Sequence, residues 1–159
     1  MNAFAEIICS GVLERYPRLR IIVAELEVGW IPFFIQDLDR RFIKSKLYKK
    51  GTVPMLPSEY FQRQCFSTFT SDDVGGHLLE RYGADNFLWS NDYPHPGCIW
   101  PHSDEVIEHT LGKLPGETLA KVLRENVAKA YGMPVPAAMP REAAPDMTGV
   151  WGERDWIQR

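Results

Sequence analysis

The 159 residues suffice for one ordinary domain, and a composition 45% apolar, 25% charged and 12% aromatic excludes disorder, a collagen-like repeat or an acidic tail as the account of the whole. Eighteen Lys and Arg against 21 Asp and Glu leave a formal charge of -3, which offers no basic field to nucleic acid or an anionic membrane, so neither is expected as a partner. Cys9, Cys65 and Cys98 are widely spaced and odd in number, no signal-peptide pattern follows Met1, and no apolar run could span a bilayer; the expected setting is a reducing cytoplasm.

Along the chain, Phe4, Ile7, Ile8 and Val12 recur at helical spacing and predict a helix over residues 2–15, stopping before Pro17. Residues 20–26, with Ile21, Ile22, Val23 and Ala24 in an unbroken run, predict an interior parallel strand covered on both faces. Trp30, Phe33, Phe34, Leu38 and Phe42 predict a helix over 30–47, and the prolines and glycine of 49–58 a connecting loop. A short helix over 59–63, with Ser58 as N-cap, leads into a second strand at 65–70. Asp72 caps a helix running to Tyr82, and Phe87, Leu88 and Trp89 form a third strand. Helices at 104–111 and 116–131 follow, the latter stopped by Gly132 and Pro134. The order is that of an α/β fold with a parallel sheet, and neither of the usual glycine-rich phosphate-binding motifs is present. Residues 1–133 carry this pattern; 134–159, with Pro134, Pro136, Pro140 and Pro145, predict an extended tail, anchored by Trp151 or Trp156.

The strongest chemical signal is Ser90-Asn91-Asp92-Tyr93-Pro94-His95, directly after the third strand. Polar side chains at the C-terminal end of a parallel strand face the usual mouth of an α/β site, where Asp92 can bind a cation or accept a proton. The competing account is a plain turn, since Asn91 and Asp92 satisfy nearby backbone donors. Glu25 stands at the equivalent end of the first strand with Glu27 beside it, so acidic groups from two strands point to one mouth; capping the next helix is the alternative. Of four histidines only His95 fits a site. His77 and His109 fall on outer helices, and His102 suits a loop-stabilising role. Cys65 and Cys98 read as small packing residues rather than nucleophiles. Trp89 suits the sheet core and Trp100 a loop or pocket wall, while Arg40 and Arg41 suit a solvated helix face.

The stretches Ser10 to Leu19, Ala24 to Pro32, Trp89 to His95, Trp100 to Ser103 and Leu123 to Gly132 resemble, in order, the C-terminal part of the amidohydrolase-related family that includes aminocarboxymuconate-semialdehyde decarboxylase. That resemblance implies a partial (β/α)8 TIM barrel, about its last three β/α units plus C-terminal helices. It implies a metal-dependent hydrolase or decarboxylase of small organic or aromatic acids, using a divalent metal, zinc or alternatively manganese. Asp92 would be the metal ligand or metal-linked base, with Glu25 and His95 at the same catalytic mouth. Glu25 stands where many relatives carry a histidine and one subgroup a glutamate, and the H-x-H pair of the family's first strand does not occur here. A complete barrel needs about 250 residues. The expectation is therefore a fragment with an incomplete site, weak metal binding, unpaired sheet edges and an uncovered inner face, associating with itself or with a complementary barrel portion. The alternative is a noncatalytic structural or interaction module derived from the same fold.

Overall fold

The three apolar runs do pair side by side. In the computed structural model, which describes residues 1–46, 53–135 and 137, Cys65–Phe69 (β2) lies between Ile21–Val23 (β1) and Phe87–Trp89 (β3), and both pairings are parallel. The register sets Ile22 against Phe66 and Thr68 against Leu88. Because successive strand residues point to opposite faces, each strand sends apolar side chains both ways.

One face carries Ile21, Val23, Cys65, Phe69, Phe87 and Trp89 into the main core. There they meet helices α1 (Asn2–Cys9), α2 (Val12–Arg15), α3 (Ile31–Ser45), α4 (Pro57–Gln64), α5 (Asp73–Tyr82) and α6 (Ser103–Leu111). Ile8, Leu13, Ile31, Tyr60, Leu79 and Leu111 are among the buried contributions of those helices. Each such side chain is worth roughly 1.5–3 kcal/mol once removed from water. Phe4 stacks on Phe34 and meets Trp30 and Phe61 edge-on, which ties α1 to α3 and α4. The opposite face carries Ile22, Phe66 and Leu88, and it is covered by Val127 and Ala130 of α8 (Asn126–Tyr131). Phe66 and Leu88 are consequently buried, so the bare inner face expected from the sequence is not what the chain shows at these positions.

Other departures have local causes. The first predicted helix is two helices, because Gly11 adopts a left-handed φ of 80° and the Ser10 hydroxyl bonds the Ile7 carbonyl and the Val12 amide. β1 is shorter than the predicted strand and half-buried at every position; it is an edge of this sheet, and β2 is the central strand. α4 begins earlier than predicted, with Pro57 in its first turn, where a missing N–H costs nothing. Leu56, not Ser58, occupies the cap position; its N–H donates to Glu59 Oε2, while the Ser58 N–H donates to Asp39 Oδ1. Asp72 caps α5 as predicted, its Oδ1 accepting the Gly75 N–H at 2.8 Å. The last predicted helix is continuous but changes winding: α7 (Gly116–Ala120) passes through a π-helical turn (Lys121–Glu125) into α8, and left-handed Gly132 ends it. Residue 47, the first part of the predicted 49–58 loop and most of the 134–159 tail, including Trp151 and Trp156, lie outside the described residues. Among the described helices none is long and apolar enough to cross a membrane.

Candidate metal centre

Parallel strands share one direction, so the segments leaving β1 and β3 emerge at the same end of the sheet. Glu25 follows β1 and its backbone N–H donates to Thr68 Oγ1 on β2 at 3.1 Å. Asp92 follows β3, where Ser90 Oγ accepts its N–H at 3.3 Å and its carbonyl accepts the His95 N–H at 2.8 Å. The turn that seemed to compete with a functional role for Asp92 is what aims it: the backbone satisfies itself locally and leaves the carboxylate free to point out of the sheet. Glu25, Glu27 and Asp92 all hold left-handed backbone angles, φ 59°, 53° and 59°. Such angles are uncommon away from glycine and persist only where surrounding bonds enforce them.

These segments bring Glu25, Asp92 and His95 together, one donor atom from each lying within 4.8 Å of the other two. Asp92 Oδ2 and His95 Nδ1 are 3.4 Å apart, with Asp92 the least exposed of the three. A Cβ added at Gly97 would come within 3.1 Å of Asp92 Oδ2, so the loop backbone passes close to the carboxylate. Ligand atoms each about 2.0–2.2 Å from a shared ion stand up to about 4.4 Å apart. The 3.4 Å between Asp92 Oδ2 and His95 Nδ1 falls inside that limit, and the 4.8 Å that bounds all three separations is close to it. Two carboxylates and one imidazole are donors that suit zinc and manganese alike. The residues therefore fit a divalent cation. The resemblance implied a metal on Asp92 alone; the structure places Glu25 and His95 beside it, so that all three could hold one ion.

Glu27, also expected near this rim, turns inward. Its Oε2 accepts the Thr70 N–H at 3.1 Å. Burial raises its pKa above the ordinary glutamate value, the Thr70 N–H opposes that, and the negative charges of Asp72 and Asp92 add to it. The other candidates sit elsewhere. His102 precedes α6 and approaches Glu105 at 3.4 Å, a loop-stabilising contact. His77 lies on α5 and His109 on α6, where His109 faces Asp73 at 3.8 Å. Cys65 is buried and its thiol is pushed up to about 12, which removes it as a nucleophile at neutral pH. Cys98 Sγ accepts the Trp100 N–H. Trp89 packs on the main core and donates to the Thr70 carbonyl, whereas Trp100 is exposed with its ring 5.9 Å from that of Tyr93. Arg40 and Arg41 pair with Asp37 on an exposed face of α3. A cavity of about 550 Å³ between α3, α4 and the entrance of β3 includes Asp85, Asn86 and Lys129, at the end of the strand opposite Asp92, and shares no lining residue with the cluster.

Comparison with known proteins agrees with this geometry. The amidohydrolase family's sequence profile matches residues 1–133, and no curated protein matches the chain. Among solved structures, 5-carboxyvanillate decarboxylase from Sphingomonas paucimobilis is 25% identical, with a TM-score of 0.61 over 82% of this chain and 38% of that one. The 2,6-dihydroxybenzoate decarboxylase from Rhizobium is 21% identical, with a TM-score of 0.63 over 81% of this chain and 39% of that one. A dihydroxybenzoic acid decarboxylase from Polaromonas sp. JS666, solved with manganese and the inhibitor 2-nitroresorcinol, is 20% identical, with a TM-score of 0.61 over 81% of this chain and 38% of that one. The chain thus spans less than two fifths of each of these proteins. The profile match over residues 1–133, most of the sequence, leads to one conclusion: this chain belongs to the amidohydrolase family.

Proposed function

We propose that this chain carries the last three β/α units of a (β/α)8 barrel and, at their mouth, donors of the metal centre of a divalent-metal-dependent decarboxylase of small aromatic acids. The observation that carries this reading is the convergence of Glu25, Asp92 and His95 from two strand ends on one point. The decarboxylases to which the chain is similar supply the reaction class and the substrate class, and the manganese bound in one of them favours manganese beside zinc.

A bound divalent ion would orient the substrate carboxylate and neutralise charge that develops as it leaves. The chain's own residues supply the rest. Glu25 and His95, both exposed, would hold the cation. Asp92, half-buried and 3.4 Å from His95, is the acid–base group. Asp92 would first take up a proton from solvent and then pass it to the ring carbon as the bond between ring carbon and carboxylate breaks and carbon dioxide departs, which returns Asp92 to its carboxylate form. Tyr93 and Trp100, on the same loop as His95, meet edge to face at 5.9 Å and would offer an aromatic substrate apolar surface near that loop.

The test is manganese and zinc titration of the 159-residue chain by calorimetry, beside Asp92→Asn. One ion per chain is expected, with at least about a tenfold loss of affinity in Asp92→Asn and an unchanged circular dichroism spectrum. Equal affinities would overturn the assignment. In a protein carrying the complete barrel, release of carbon dioxide from hydroxybenzoic acids should vanish with Asp92→Asn. Hydrolysis of ester or amide substrates without carbon dioxide release would replace the decarboxylase reading with a hydrolase one.

A further inference from the structure

The weakest part of the metal centre is Glu25. It is exposed, it follows an edge strand of three residues, and the β1–α3 loop it opens contains two residues, Glu25 and Glu27, at left-handed φ. Such a loop does not hold its shape unaided. Yet the carboxylate has to arrive within a few tenths of an ångström of its place for an ion to be shared with Asp92 and His95. Something outside the loop sets its position.

The strongest bonds reaching that loop come from Asp72. Its Oδ2 accepts the N–H groups of Val28 and Gly29, at 2.8 and 2.5 Å, while Oδ1 accepts the N–H of Gly75. One carboxylate thus caps α5 and clasps the loop leaving the neighbouring strand. Charge-assisted bonds of this kind are about twice as strong as neutral ones. The fit is close: a Cβ on Gly29 would stand 3.1 Å from both Asp72 oxygens and 3.1 Å from Val74 Cβ, and one on Gly75 would stand 2.6 Å from Asp72 Oδ2. Val28 is buried beneath the clasp. Two further bonds pin the same loop to β2 and its exit, Glu25 N–H to Thr68 Oγ1 and Thr70 N–H to Glu27 Oε2. An N-cap alone would need only one acceptor. The second oxygen of Asp72 serves the loop.

We infer that Asp72 is a positioning residue of the metal centre: by clasping Val28 and Gly29 it fixes where Glu25 meets Asp92 and His95. The inference rests on the metal-binding reading above. It assigns Asp72 no contact with the ion.

Asn and Ser at position 72 separate the two duties. Both are good N-caps and keep an acceptor for Gly75. Asn would then turn its NH2 toward two N–H donors, and Ser is too short to reach both loops, so either loses the clasp and retains the cap. In the 159-residue chain, Asp72→Asn and Asp72→Ser are expected to unfold cooperatively near the wild-type midpoint. Amide hydrogen exchange at Val28 and Gly29 should accelerate. Manganese affinity should drop about tenfold, the range found when groups that orient metal ligands are removed, with a changed manganese paramagnetic resonance spectrum. Gly29→Ala loosens the same clasp with Asp72 still present and serves if the Asp72 variants fail to fold; its φ is not left-handed, so alanine is tolerated by the backbone.

Asp92→Asn is the companion measurement. If it abolishes binding while the Asp72 variants and Gly29→Ala keep wild-type affinity and spectrum, the metal reading stands and the positioning role is overturned. Unchanged exchange at Val28 and Gly29 overturns the clasp whether or not metal is bound. If wild type binds manganese no better than Asp92→Asn, the metal reading falls and this inference falls with it.

Discussion

Asn126 illustrates how much one buried carboxamide organises. Its Nδ2 donates to the carbonyls of Ala84 and Phe87 at 2.5 and 2.8 Å, binding α8 to the entrance of β3 from inside the protein. Asn126→Leu would remove that donor from both carbonyls, of which Ala84 keeps the Phe87 N–H, and a buried carbonyl left unpaired costs about 1–3 kcal/mol. A loss of about 2–4 kcal/mol is expected in urea denaturation, and a loss under about 0.5 kcal/mol would show that the carbonyls find other partners. Glu27 makes the corresponding electrostatic point. Its pKa is raised on folding, first by burial, so the folded protein holds that proton more tightly than the unfolded chain. The associated stability is present below the ordinary glutamate value and is lost as pH rises through the raised one. Gln keeps an acceptor for the Thr70 N–H without the charge. Glu27→Gln should therefore gain on wild type in denaturation midpoint between about pH 4 and about pH 7; a pH-independent difference would contradict the burial of this carboxyl.

At the scale of elements, the contact between α5 and α6 sets propensity against packing. Gly76 lies inside α5, where alanine would favour the helix by roughly 1 kcal/mol. Yet a Cβ there would stand 2.6 Å from the Thr110 backbone carbonyl on α6, and backbone cannot swing aside as a side-chain tip can. Overpacking of this kind costs about 1–3 kcal/mol, so Gly76→Ala is expected to be destabilising on balance. Thermal denaturation against wild type gives the sign, and a raised midpoint would mean that α5 and α6 separate readily. By helix propensity alone the two glycines of α5, Gly75 and Gly76, are weak points in a helix. One admits a neighbouring helix and the other, Gly75, donates to Asp72, which no helical periodicity could reveal.

At the scale of the whole molecule, the described residues form an open sheet of three parallel strands, helix-covered on one face and covered by α8 across Ile22, Phe66 and Leu88 on the other. β1 forms one edge with all three of its residues only half-buried, while β2 is almost wholly enclosed. An edge of this kind offers unpaired N–H and carbonyl groups beside apolar side chains, which favours pairing with another strand. Sedimentation velocity over a hundredfold concentration range, roughly micromolar to tenths of millimolar, is expected to show association. A single monomeric species throughout would mean that α8 and the loops shield the edge sufficiently.

The sequence by itself determined the alternation of helices and parallel strands, the three strand cores, the Asp72 cap and the grouping of Glu25, Asp92 and His95 at one mouth. Each follows from local chemistry: apolar runs become strands, an Asx residue caps a helix, and polar residues directly after parallel strands must emerge at one end. The break at Gly11, the edge position of β1 and the inward turn of Glu27 needed the tertiary structure, because φ, strand neighbours and side-chain direction are set by contacts between segments far apart in the chain. The same holds for α8, whose periodicity announces an apolar stripe but not the sheet face that it covers. Asp72 lies at the boundary between the two kinds of information. Its cap was readable from position, whereas its hold on Val28 and Gly29 exists only because a parallel register sets the ends of β1 and β2 side by side.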